Sequence, residues 1–223
     1  MRVGRGRAGR AGHLLMLNVA VLVSGGGSNL QAIIDAKAAG RLENGTLCAV
    51  ISSGKDAYAL QRAETAGIPT YVVERKAYSD RAAYTDAILA QLEAVQAEIV
   101  VLAGFMYILS PKFCEVYKNK VLNVHPSLIP SFCGDGFYGL RVHRAALDYG
   151  VKLTGATVHF VSEVTDGGPI ILQKSTEILE DDTPETLQKR VMRECEWVIL
   201  PEALRLCCDG KVKVENGKVK ISK

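Results

Sequence analysis

From Leu17 to His125 short apolar runs alternate with helical stretches, and that alternation leaves few folds open. Leu17–Val23 is dense in valine and leucine, as a buried strand is. Ser24-Gly25-Gly26-Gly27-Ser28-Asn29 breaks it. A helix is expected from Asn29 to about Ala39, with Ser28 as N-cap, Gln31 three residues on as in a capping box, and Gly40 as the stop. Strands at 47–51, 70–73, 98–102 and Val121–His125 then alternate with helices at 57–66, 79–95 and 111–117. This spacing requires right-handed crossovers and an α/β fold with a mostly parallel central sheet and helices on both faces. After Pro126 the pattern changes. A helix over Leu140–Tyr149 precedes two strands, 154–161 and Ile170–Glu177, which flank a loop at 162–169. Thr183 and Pro184 open a long helix to about Cys208, in which Pro201 is expected to make a kink or break. Asn216-Gly217 marks a terminal hairpin.

Composition removes several function classes. Of 27 basic residues, Arg2, Arg5, Arg7 and Arg10 lie in the first ten positions; without them 23 basic residues face 24 acidic ones. The body is near neutral, so no nucleic-acid partner is expected. Residues 1–15 read as a flexible basic leader and 16–223 as a single domain. The leader followed by an apolar run imitates an export signal, but Asn18 interrupts the run and no small-x-small cleavage site follows. Six cysteines without a C-x-x-C pair read as reduced thiols of a cytoplasmic protein. The apolar run at 99–109 is too short for a ~20-residue membrane span.

Three constellations can carry chemistry. Three glycines between a strand and a helix let backbone approach a ligand, and the helix start offers unpaired N–H groups, which suits a phosphate. Leu30 stands where a dinucleotide fingerprint needs its third glycine, and the Gly-Lys-Ser/Thr of a P-loop is missing. Asn123 and His125, two apart at a strand end, project from one face beyond the carboxyl edge of the sheet. An amide and an imidazole side by side there suit an oxyanion site. Asp166-Gly167-Gly168-Pro169 offers one carboxylate on a close-passing loop. If it meets His125, it favours the charged imidazole. His143 and His159 read as structural. No H-E-x-x-H, G-x-S-x-G or Cys/His metal spacing is present, so no metal is expected.

The pieces VSGGGSNLQAII (23–34), VLAGFMYILSP (101–111), LNVHPSLIP (122–130), GATVHF (155–160) and DGGPIILQ (166–173), in this order, resemble the phosphoribosylglycinamide formyltransferases, folate-dependent enzymes of purine synthesis. The resemblance runs from Leu17 to about Gly210. It implies a Rossmann-like formyltransferase fold with an antiparallel C-terminal part. It also implies transfer of the formyl group of 10-formyltetrahydrofolate to the amine of glycinamide ribonucleotide, through a tetrahedral intermediate and without a metal. By resemblance, Gly27, Ser28 and Asn29 grip the substrate phosphate, and Asn123, His125 and Asp166 are catalytic. Glu196 touches the glycinamide substrate, and Arg81 with Met106, Tyr107, Ile108 and Leu109 serves the folate. The protein is expected to act as a monomer or homodimer.

The chain departs from the family in four places: Tyr107 replaces a frequent arginine, Trp197 a common histidine, the stretch 191–196 is one residue longer, and 131–139 exceeds some relatives. A 10-formyltetrahydrofolate hydrolase or another formyltransferase of the same fold is the alternative. Methionyl-tRNA and amino-sugar formyltransferases share the trio but resemble the glycine loop less. Formyltetrahydrofolate deformylases carry an N-terminal regulatory domain, whereas about 16 residues precede the first strand here. A non-catalytic sugar-phosphate-binding module is the reading from another class.

Overall fold

A computed structural model describes residues 16–222; the expected leader lies outside the described residues. In chain order the elements are β1 (Leu17–Val23), α1 (Ser28–Ala38), β2 (Gly45–Ser52), α2 (Tyr58–Thr65), β3 (Thr70–Val72), α3 (Arg81–Ala94), β4 (Ile99–Leu102), α4 (Pro111–Val116) and β5 (Val121–His125). Then come α5 (Leu140–Tyr149), β6 (Leu153–Phe160), β7 (Ile170–Glu177), α6 (Pro184–Val191), α7 (Trp197–Cys208), β8 (Val212–Glu215) and β9 (Lys218–Ile221).

Seven strands form one sheet in the order β3-β2-β1-β4-β5-β6-β7. The pairings from β3 through β5 are parallel, and β6 and β7 add on antiparallel. The chain leaves β1 toward β2 on one side and later returns to β4 on the other. The helices that follow β1 and β4 therefore pack on opposite faces, and a crevice opens at the carboxyl edge where their connections part. β8 and β9 form the separate terminal hairpin.

The pleat divides the core in two. Val19, Val21 and Val23 pack with Leu30 and Ile33 of α1, Ala59 and Ala63 of α2, and Leu200 and Leu204 of α7. Ala20 and Leu22 face the other way, onto Tyr84, Ile88 and Leu92 of α3 and Phe113 of α4. Both faces of β1 are thus covered from Val19 to Val23, which is why that stretch reads as unbroken apolar residues.

Two local expectations are corrected. Ser28 is the first residue of α1 rather than its cap; Gly27 occupies the cap position at φ 72, with no side-chain capping bond. Gln31 instead accepts from Arg62 Nη1 at 3.0 Å and donates to Asp35 at 2.9 Å. The long C-terminal helix does start at Thr183, whose hydroxyl accepts from the Thr186 N–H, with Pro184 in the first turn. Its break comes earlier than Pro201, however. Met192–Glu196 forms a π turn, and α7 runs on through Pro201. Leu187, Val191, Cys195, Ile199 and Ala203 are spaced by four and all buried. In a straight α-helix each such step drifts by about 40°, so the wider turn resets the phase and keeps them on the core.

Candidate active site

The glycine loop leaves β1 and meets the loop after β4: Ser24 Oγ accepts from the Met106 N–H at 3.1 Å and from Ser53 Oγ at 2.7 Å. Gly27 must be glycine. Its φ is positive, and a Cβ there would lie 2.6 Å from Ala59 Cβ and 2.8 Å from Ala59 Cα. This contact seats the start of α1 against α2.

Asn123 and His125 project together from the end of β5, as the period of two requires. His125 is almost covered, at 4% exposure. Its Nε2 lies 2.9 Å from the Phe132 carbonyl and its Nδ1 3.4 Å from Asp166 Oδ2. Both neighbours are hydrogen-bond acceptors. Asp166 also accepts the Gly134 N–H at 2.9 Å, so the long stretch 131–139 contributes two groups that pin the imidazole and its carboxylate. The loop after β6 delivers Asp166 because Gly168 packs directly on the Phe160 carbonyl; a Cβ there would sit 1.8 Å from that oxygen. Burial pushes the Asp166 carboxyl up. The hydrogen bond from the Gly134 N–H and the neighbouring imidazoles outweigh it and hold it below the usual carboxylate range.

His159 is part of this cluster and corrects its reading as structural. It pairs with Asn123 across β5 and β6, its Nε2 lies 3.2 Å from Asn123 Nδ2, and it stands 3.6 Å from Asp166 Oδ1. Its Nδ1–H donates to the Phe160 carbonyl at 2.9 Å. His143 also reaches the site: it is fully buried, lines the same cavity, and neither ring nitrogen has a partner among the described residues. Burial, with the charge of His125, lowers its pKa to about 4.

A cavity of about 800 Å³ joins these groups. Its wall includes Asn123, His125 and Asp166, and also Asn29 and Glu196. Glu196 Oε2 accepts from Asn29 Nδ2 at 2.8 Å. Asn29 Oδ1 is buried without a partner among the described residues. Burial pushes the Glu196 carboxyl up, and the Asn29 bond only partly offsets it. The pair is a set of acceptors waiting for donors. Arg81 and Met106, Tyr107, Ile108 and Leu109 line the cavity too, whereas Gly27 and Ser28 lie outside its wall, immediately before Asn29.

A family model described as formyl transferase matches residues 17–204. A phosphoribosylglycinamide formyltransferase of Escherichia coli is 41% identical over 90% of this chain and 92% of its own. The chain belongs to the formyl transferase family. A bovine trifunctional purine biosynthetic protein adenosine-3 is 47% identical, but this formyl transferase spans 19% of that relative's length. A glycinamide ribonucleotide transformylase from Symbiobacterium toebii superposes with a TM-score of 0.88 at 42% identity, covering 93% of this chain and 95% of that one. The names of the Escherichia coli and Symbiobacterium toebii relatives agree with the sequence resemblance.

The signal that could have placed His159 in the formyl transferase site is the antiparallel return of β6, which sets residue 159 opposite 123. Nothing local to residue 143 marks it; an apolar-patterned helix correctly implies burial, and only packing turns it toward the cavity.

Proposed function

We infer that this formyl transferase formylates glycinamide ribonucleotide, with 10-formyltetrahydrofolate as donor. The observation that carries the reading is the single cavity in which acceptors at Asn29 and Glu196 meet the Asn123, His125 and Asp166 cluster.

The residues suit both ligands. Gly27, Ser28 and Asn29 serve the phosphate at the start of α1. Glu196 Oε1 and Asn29 Oδ1 accept hydrogens of the amine or hydroxyl donors of the acceptor substrate. Phe105 stacks on Tyr84 at 6.4 Å between ring centres, and Tyr107 stands edge-on to both rings at 5.9 Å. Among the described residues, the backbone N–H groups of Tyr107, Ile108 and Leu109 have no protein acceptor. An aromatic wall beside free backbone donors fits a flat pterin with a hydrogen-bonding edge. Arg81 offers a cation to the folate carboxylates.

The donor supplies an activated formyl carbon, which the neutral acceptor amine attacks. The Asn123 amide gives one N–H to His159 and keeps the second for the developing oxyanion. His125 contributes its Nε2–H by exchanging the Phe132 carbonyl for the formyl oxygen. Asp166 balances the protonated ring and assists proton movement from the attacking amine toward the departing nitrogen. Positioning of two bound molecules supplies much of the rate, and no covalent enzyme intermediate is needed. One domain, residues 16–223, carries this chemistry, and its compartment is the cytoplasm. Among the described residues no helix is long and apolar enough to cross a membrane.

The test mixes the protein with 10-formyltetrahydrofolate, with and without glycinamide ribonucleotide. Consumption of the donor only when the amine is present, with formylated product, is the expected result. Equal consumption in its absence makes the protein a hydrolase, and no consumption makes it a binding module.

A further inference from the structure

Gly25 and Gly26 are exposed and carry no side chains to hold them. Their conformation is set from behind, by α2. The Ala59 N–H donates to the Gly25 carbonyl at 3.0 Å, and Arg62 Nε–H donates to the Gly26 carbonyl at 2.8 Å. α2 has no side-chain cap of its own, so the Gly25 carbonyl satisfies one of its orphan N–H groups.

These two bonds have a directional consequence. In a trans peptide the carbonyl of one residue and the N–H of the next point in opposite directions. Anchoring the carbonyls of Gly25 and Gly26 on α2 therefore turns the N–H groups of Gly26 and Gly27 away from it. Among the described residues neither N–H has a protein acceptor. They add to the unpaired N–H groups of the first turn of α1.

Arg62 is itself braced. Its Nη1 donates to Gln31 Oε1 at 3.0 Å, Gln31 donates onward to Asp35 at 2.9 Å, and the guanidinium lies 4.9 Å from the centre of the Tyr58 ring. The planar fork thus ties α1 to α2 with the glycine loop between them. A lysine can reach one of these acceptors but cannot span both in this geometry.

We propose that Arg62 is a positioning residue for the acceptor's phosphate: through the Gly26 carbonyl it presets the glycine loop with its N–H groups outward. A triple-glycine loop is otherwise the most costly of all backbones to order on binding, and presetting it removes that cost beforehand. The inference rests on the phosphate reading of this loop.

The experiment compares glycinamide ribonucleotide with the dephosphorylated glycinamide riboside in wild type, Arg62→Met, Arg62→Lys and Gln31→Leu, with melting temperatures alongside. Arg62→Met is expected to raise KM for the nucleotide about tenfold, the worth of one charge-assisted hydrogen bond. Its kcat, its KM for the folate and its kcat/KM for the riboside stay within about twofold of wild type. Arg62→Lys recovers part of the loss, and Gln31→Leu shows a smaller loss of the same kind. An unchanged preference for the nucleotide over the riboside in Arg62→Met and Gln31→Leu, with only the melting temperature lowered, makes Arg62 merely structural and overturns the proposal. If wild type itself does not prefer the nucleotide, the phosphate reading falls, and the proposal with it.

Discussion

Asn123 and His159 face each other across the antiparallel β5–β6 pair, with Asn123 Nδ2 3.2 Å from His159 Nε2. Nδ1–H is committed to the Phe160 carbonyl, so in that tautomer Nε2 presents its lone pair to the amide and fixes which way its NH2 group turns. Removing an oxyanion donor costs ~10²–10³ in turnover, so Asn123→Ala should lower kcat by that order. His159→Leu leaves the donor but frees its orientation, and should cost roughly 10- to 100-fold. Steady-state kinetics on folded variants checks both. Wild-type turnover in His159→Leu would end the orienting role.

Asp166→Asn removes the negative charge between two imidazoles while keeping the side chain's size. Turnover should fall by roughly 10²-fold, since a neutral amide no longer balances a protonated His125. The native carboxyl lies below its ordinary value of 3.8. Its contribution to stability is therefore complete above that pH and is lost as pH falls through the lower folded value. Acid unfolding of wild type should consequently be steeper than that of Asp166→Asn. Superimposable acid transitions would contradict the ion pairing.

Much of the parallel half of the fold is legible in the sequence because its signals are local. The apolar run of β1, the glycine loop and the stop at Gly40 each lie within a few residues. Asn123 and His125 are legible as a pair for the same reason, since a strand's period of two decides their common face. His159 is not, because its partner is set by the register of a strand that returns from 36 residues away. Ser28 and Gln31 have the spacing of a capping box, but the left-handed backbone of Gly27 takes the cap, and Arg62 claims Gln31 from another helix. Pro201 marks a break by its chemistry alone. The π turn falls before it, where the wider turn keeps Cys195 and Ile199 on the core.

The anion site is best probed at Gly26, not Gly27. A Cβ on Gly26 meets nothing within 4 Å, whereas one on Gly27 collides with Ala59 in a backbone conformation that side chains avoid. Gly26→Asp places a negative charge where a phosphate is to bind and should raise KM for the nucleotide by at least tenfold, leaving the melting temperature within a few degrees of wild type. Gly27→Ala should instead destabilise the fold, by roughly 1–3 kcal/mol for the strained backbone and the overpacking. Titration with inorganic phosphate, followed by protection against thermal unfolding, separates the two. Equal protection of wild type and Gly26→Asp would argue against an anion at this loop.

Glu196 carries a trade between stability and binding. Its carboxyl is buried and raised above 4.5, so the folded state holds its proton longer than the unfolded chain does. Stability from this group is present at low pH and falls as pH rises from 4.5 through the folded value. Glu196→Gln keeps the shape and cannot ionise. At neutral pH it should be more stable than wild type, by a margin that widens as pH rises above 4.5. It should also bind the acceptor about tenfold less well, because a charge-assisted bond becomes a neutral one. Melting temperatures across pH and KM for each substrate test this. A margin independent of pH would show that Glu196 is ionised without penalty.

His143 offers the opposite sign. It is fully buried, neither ring nitrogen has a partner among the described residues, and its pKa is lowered from 6.5 to about 4. The unfolded chain takes up a proton that the folded state refuses, so stability declines as pH falls from 6.5 and levels off only below about 4. His143→Leu replaces the unsatisfied nitrogens with apolar atoms of similar reach. It should stabilise the protein already at neutral pH, since each buried unpaired polar group costs about 1–3 kcal/mol. The gain should grow on the order of 3 kcal/mol across the acid range as the titration is removed. Urea midpoints of both proteins, followed from neutral pH into that range, give the answer. A leucine variant that tracks wild type at a constant offset would mean that the imidazole finds a partner in solution.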